Sequence, residues 1–145
     1  MSKFFILCFI VFSSAIVFSQ ESKLPISLED EAGKTYPVYR GCHKKISYTD
    51  VEKCTNRKIR NFFKMSFDLD LADRLFPQDK TAKVLVDFII NKKGKIEKIN
   101  AKANKRDMAV EAIKVLKRLP KLKKPGTKNG KPIDTDFSME MTVYF

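Results

Sequence analysis

The stretch from Leu119 to Phe145 constrains this chain more than any other. In its final part Phe137, Met139, Met141, Val143 and Phe145 alternate with Ser138, Glu140, Thr142 and Tyr144. A period of two places the apolar set on one face of a β-strand, so the sequence closes with a strand that has one buried side. Upstream, Leu119-Pro120 stops a helical pattern, and Pro125-Gly126, Asn129-Gly130 and Pro132 punctuate the link. The order predicted is a helix, a turning connection and a half-buried strand. With no further strand after it, that strand is expected at a sheet edge.

The rest of the core follows from the same patterning. Val84, Val86, Phe88 and Ile90 alternate with Lys83, Leu85, Asp87 and Ile89 over 82–90, the chain turns through Asn91 to Lys95 at Gly94, and 96–103 returns as a second strand. Over 108–119, Met108, Ala112, Val115 and Leu119 form one row and Ala109, Ile113 and Leu116 a second, a stripe wide enough to cover a sheet. Earlier, Thr49-Asp50-Val51-Glu52 has the form of a capping box that starts a helix near Asp50, with Ile59, Phe62, Phe63 and Phe67 on its apolar side. These stripes are mutually satisfied by an α+β fold: a two-layer sandwich of a three-stranded antiparallel sheet and two helices, with an N-terminal helical extension.

Met1-Ser2-Lys3 followed by the apolar run Phe4 to Phe18 reads as a signal peptide. At about 1.5 Å per residue the run spans roughly 22 Å, short of a hydrocarbon core of roughly 30 Å. Val17-x-Ser19 places cleavage before Gln20 and a periplasmic or secreted product; an uncleaved run would leave the protein anchored in the inner membrane. Cys8 follows Leu7 rather than a small residue, which disfavours a lipoprotein. In an oxidising compartment the remaining thiols, Cys42 and Cys54, are expected to pair, and a loop of that length stabilises by roughly 3 kcal/mol. The competing use is a metal site with His43, the sole histidine, but three ligands with two adjacent make a poor tetrahedral set.

The order helix, Pro-x-x-x-x-Pro-Gly-x-x-Asn-Gly-Lys-Pro, then a strand ending in an aromatic resembles the C-terminal domain of TonB-like energy transducers, in particular short secreted members from Bacteroidetes-type bacteria. The likeness extends back from Phe145 to about Phe67. It takes in Leu69-Asp70-Leu71-Ala72 as a short first helix and Asn91-Lys92-Lys93-Gly94-Lys95 as the hairpin turn. It divides the chain into a signal peptide (1–19), a flexible leader (20–35), an extension with a helix (36–66) and the TonB-like domain (67–145). The resemblance implies a protein-binding module linked to transmembrane transport. It would take a receptor peptide as an added strand along an edge formed by Met139, Glu140, Met141, Thr142, Val143 and Tyr144. The leader is too short and too poor in proline to serve as the periplasm-spanning arm of a transducer.

Charge is the strongest asymmetry. The chain has a formal charge of +12, and residues 92–131 hold fifteen basic side chains against three acidic, so the remainder is balanced. Lys114, Lys117 and Arg118 fit a solvated helix face, whereas Lys121, Lys123, Lys124, Lys128 and Lys131 form a separate basic group that would draw an anionic envelope surface. Nucleic acid is not expected, because no aromatic residues interleave with these lysines to stack bases. No Ser-His-Asp set, HExxH, P-loop or GxSxG is present, and Asp68, Asp70 and Asp73 read as solvated residues around a short helix. No enzyme and no cofactor are therefore expected. Two readings compete: a module that binds an outer-membrane receptor peptide, another envelope protein or a second copy of itself through the closing strand, and an accessory envelope protein held by its lysines.

Overall fold

A computed structural model describes residues 28–30, 32–45 and 47–145. The elements are β1 (Lys34–Thr35), α1 (Tyr48–Ser66), α2 (Leu69–Leu75), β2 (Thr81–Ile90), β3 (Ile96–Ala103), α3 (Arg106–Lys117), β4 (Gly126–Lys128), β5 (Lys131–Ile133) and β6 (Thr135–Tyr144). The expected signal peptide, its cleavage point and most of the expected leader lie outside the described residues. Among the described residues no helix is long and apolar enough to cross a membrane.

The fold is α+β; the described residues form three helices and two antiparallel three-stranded sheets. In the larger sheet β2 is central, between β3 and β6. β2 buries Ala82, Val84, Val86, Phe88 and Ile90, and β6 buries Phe137, Met139, Met141 and Val143, so the two period-two patterns meet on one face. That face joins Ile59, Phe63 and Phe67 and, from α3, Met108, Ala112, Val115 and Leu116 in a single apolar cluster. Phe88 and Phe137, opposite each other in register, stack with ring centroids 5.2 Å apart. The other face is polar at Lys83, Ser138 and Glu140, and a 2.9 Å ion pair links Lys83 to Glu140.

The β2–β3 turn is closed by Asn91, whose Oδ1 accepts from the N–H groups of Lys93 and Lys95. Gly94 is required there twice over: its φ is +77°, and an added Cβ would lie 3.0 Å from the Leu122 carbonyl oxygen. Register then shifts between Asp87 and Ile89, and on the facing strand Lys98 takes a φ of +51°. The sheet absorbs an extra residue here as a β-bulge.

Three features differ from the sequence reading. Helix α1 begins at Tyr48, and its cap is Ser47, whose Oγ accepts from the Asp50 N–H, in place of the Thr49 box. The two capping patterns overlap by two residues, and spacing alone does not choose between them. The turning connection before β6 contains two strands: β4 and β5 form a hairpin closed by Asn129 (φ +49°) and Gly130 (φ +76°). Both positive angles suit a two-residue type I′ turn. The tail of the expected flexible leader is folded, because Asp30 Oδ1 accepts from the Ala32 and Lys34 N–H groups and β1 pairs with β4. A two-residue strand is too short to show a period.

The segment before α1 is sewn to the helix. Cys42 and Cys54 form a disulfide with Cα atoms 5.8 Å apart, which consumes both thiols of the alternative metal set. Buried Thr55 donates to the Pro37 carbonyl at 2.9 Å and accepts from the Tyr39 N–H at 3.1 Å.

Candidate functional site

The free edge of β6 can be read from one hydrogen bond. In an antiparallel pair the N–H and C=O of a residue point the same way, and successive residues alternate. The Phe145 N–H donates to the Lys80 carbonyl at 3.1 Å. Phe137, Met139, Met141 and Val143 therefore turn their backbone groups toward β2, and Asp136, Ser138, Glu140, Thr142 and Tyr144 turn theirs outward. Of the six residues expected to form the edge, Met139, Met141 and Val143 have buried side chains and spend their backbone on the ladder. Glu140, Thr142 and Tyr144 present theirs to the outside. Asp136 and Ser138, absent from the expected set, continue the row.

Helix α1 stands beside this edge. Arg60 Nη1 donates to the Glu140 carbonyl at 2.9 Å, and Lys64 Nζ lies 5.1 Å from the centroid of the Tyr144 ring. The two cations are four residues, about one helical turn, apart, so they face the same way. Arg60 acts as a guard of the kind that edge strands need, a charged side chain laid on otherwise unpaired backbone, and Lys64 covers the ring beside it. Among the described residues, no other outward backbone group of β6 has a hydrogen-bond partner.

Toward the start of β6 the guard gives way to an open cleft of about 250 Å³, lined by Glu52, Asn56 and Arg60 of α1 together with Tyr36, Asp136 and Ser138. Its floor is fixed by Tyr36, whose hydroxyl donates to Asn56 Oδ1 at 2.9 Å and whose ring packs edge-on against Phe137. Burial pushes the Tyr36 phenol well above its ordinary value. The hydroxyl is thus a fixed, protonated donor. Nothing in the sequence marks Tyr36, Asn56, Arg60 or Lys64 as neighbours of the closing strand, since Arg60 is 80 residues from its acceptor. On a helix with Arg57, Lys58 and Lys64 nearby, Arg60 reads as one more solvated charge.

The basic group divides in two. Lys121, Lys123, Lys124, Lys128 and Lys131 are all exposed, but they sit on different supports. Lys34, Lys128 and Lys131 occupy directly opposed positions across β1, β4 and β5, a row of like charges that cross-strand pairing disfavours. Lys123 and Lys124 instead flank Val38, whose carbonyl accepts from the Lys123 N–H at 2.8 Å and whose N–H donates to the Lys124 carbonyl at 3.0 Å. The ion pairs among the described residues are Lys83–Glu140, Lys114–Glu111 and Arg118–Glu111. None neutralises this group. Comparison with protein-family models, with curated proteins and with solved structures gives no match for this chain.

Proposed function

We propose that this chain is a periplasmic protein-binding module of the TonB C-terminal-like kind, a two-layer α+β sandwich that takes up an extended receptor peptide as an added strand along β6. In that role it serves TonB-dependent transport across the outer membrane. The observation that carries the reading is the row of outward backbone groups on β6, complete except where Arg60 holds Glu140. A row of this kind offers donors and acceptors at every second residue, which is what a strand-adding peptide uses for affinity. The cleft of Tyr36, Asn56 and Asp136 beside the row offers a place for a side chain of the incoming strand. Arg60 must leave Glu140 as the peptide arrives, and its guanidinium is then free to meet a carbonyl or carboxylate on the ligand.

A second reading is favoured by a separate observation, the exposed lysines without ion-pair partners. On that reading an anionic envelope surface holds the protein, and the edge serves only the fold. Capture of partners from an envelope fraction, with the wild-type chain and with Thr142→Pro as baits at low and high salt, separates the two. Strand addition predicts capture that resists salt and is lost in Thr142→Pro, because proline removes an outward donor. Capture that survives Thr142→Pro and disappears when Lys121, Lys123 and Lys124 are neutralised overturns it.

A further inference from the structure

The disulfide loop and the connection after α3 flank a second, open cleft of about 470 Å³, lined by Arg40, Gly41, His43, Lys121, Leu122 and Lys123. No carboxylate lines it, and none of its cations enters an ion pair among the described residues. We infer that this cleft is a binding site for a phosphate monoester. The inference is independent of strand addition at β6, and it narrows the diffuse attraction of the lysine-rich stretch to one place.

Three observations support the assignment. First, the walls are fixed before any ligand arrives. The Cys42–Cys54 bond and the Cys42 N–H to Tyr39 carbonyl bond at 3.0 Å hold the Arg40 side, while the Val38 bonds and the Leu122 N–H to Gly94 carbonyl bond at 2.9 Å hold the lysine side. With the backbone held, only side-chain freedom is lost on binding, less than for lysines on a mobile loop. Second, Gly41 has a φ of +88°, and nothing lies within 4 Å of where a Cβ would sit. The backbone is bare on that wall, so a ligand can approach it closely. Third, the charge count selects the ligand. Arg40, Lys121 and Lys123 bring three permanent positive charges to one opening, more than a single carboxylate neutralises. A phosphate monoester carries a charge of about −1.5 to −2 near neutral pH and has three strong acceptor oxygens. The planar fork of Arg40 suits two of those oxygens, and the lysines act as point charges on the remainder.

The test is a titration of the oxidised full chain, followed by backbone amide resonances, with glycerol phosphate and phenyl phosphate as probes and acetate at matched ionic strength as the control. Saturable shifts are expected at 40–43 and 121–123. The dissociation constant should rise about tenfold in Arg40→Gln or Lys123→Gln and change little in Lys128→Gln or Lys131→Gln. A parallel arm compares flotation with vesicles containing phosphatidic acid and with vesicles of equal surface charge containing phosphatidylserine. Preference for phosphatidic acid, lost in Lys123→Gln, identifies a membrane-borne monoester. Saturable binding of the soluble probes with no such preference identifies a free one. Shifts that never saturate and spread over all lysines, or equal losses in the Lys128 and Lys123 variants, overturn the assignment.

Discussion

Two neighbouring proline substitutions test the geometry of the β6 edge directly. Thr142 turns its N–H outward, whereas Met141, opposite Val84, turns its own into the ladder with β2. Met141→Pro should remove a ladder bond and leave a buried acceptor unpaired, at about 1–3 kcal/mol. It also deletes most of a side chain that is 1 % exposed, and truncating such a buried side chain costs roughly 2–5 kcal/mol. The sum is comparable with the whole margin of a small domain, about 5–15 kcal/mol. Thr142→Pro loses no ladder bond and no buried side chain, so its cost is confined to strand propensity, on the order of 1 kcal/mol. For a domain between the usual size classes, each kcal/mol moves the midpoint by roughly 3–6 °C. Thermal unfolding by circular dichroism should therefore place Thr142→Pro within several degrees of wild type, and Met141→Pro at least ~10 °C lower or unfolded. Equal destabilisation by the two would mean that the parity assigned to β6 is wrong and that its edge is not open.

Three further outcomes are expected. Cys42→Ser should lower stability by about 3 kcal/mol in urea, the loop-closure value for the crosslink, while the Thr55 bonds to Pro37 and Tyr39 keep the segment docked, so a fully native far-UV spectrum should remain. Arg60→Gln should uncover the Glu140 carbonyl and raise self-association in sedimentation velocity; unchanged or weaker association would show that Arg60 does not guard the edge. Tyr36 has a folded-state pKa raised above its unfolded value, so its contribution is complete below about pH 10 and is lost as the unfolded chain begins to release the proton above that. Tyr36→Phe should accordingly flatten the alkaline fall in denaturation midpoint, at the cost of the Asn56 bond at lower pH.

The elements with long, regular patterns were legible in the sequence. The core faces of β2 and β6 follow from alternation, the strand 96–103 follows as the return after the turn at Gly94, and the disulfide follows from two cysteines left in a chain expected to be exported. What escaped has a common physical cause. β1, β4 and β5 have two or three residues each, too few for a period, and they are held by pairing partners far away in sequence rather than by local preference. Asn129-Gly130 did carry the hairpin signal, but without alternating apolar flanks it reads as a simple turn. The strand that forms the edge was visible from its alternation, whereas its guard was not. Arg60 and Lys64 acquire their meaning only from where α1 is laid, and that is decided by Ile59 and Phe63 on the adjoining, buried side of the helix.

The pairing of β2 with β6 has a consequence for how the protein is made. β6 supplies four of the buried core residues and runs the full length of β2, from Thr81 opposite Tyr144 to Ile90 opposite Thr135. During synthesis at about 5–20 residues per second, β2 therefore leaves the ribosome seconds before the strand that must cover its edge. Until then one side of its backbone is open, and Val84, Val86 and Phe88 lack their facing neighbours. The nascent chain cannot close its core vectorially, and contacts this distant in sequence form slowly even when the chain is complete. Such a chain stays threadable for longer than one built from local hairpins. It is also exposed for longer to holdases, and to proteases that remove any copy in which translation stops short of β6.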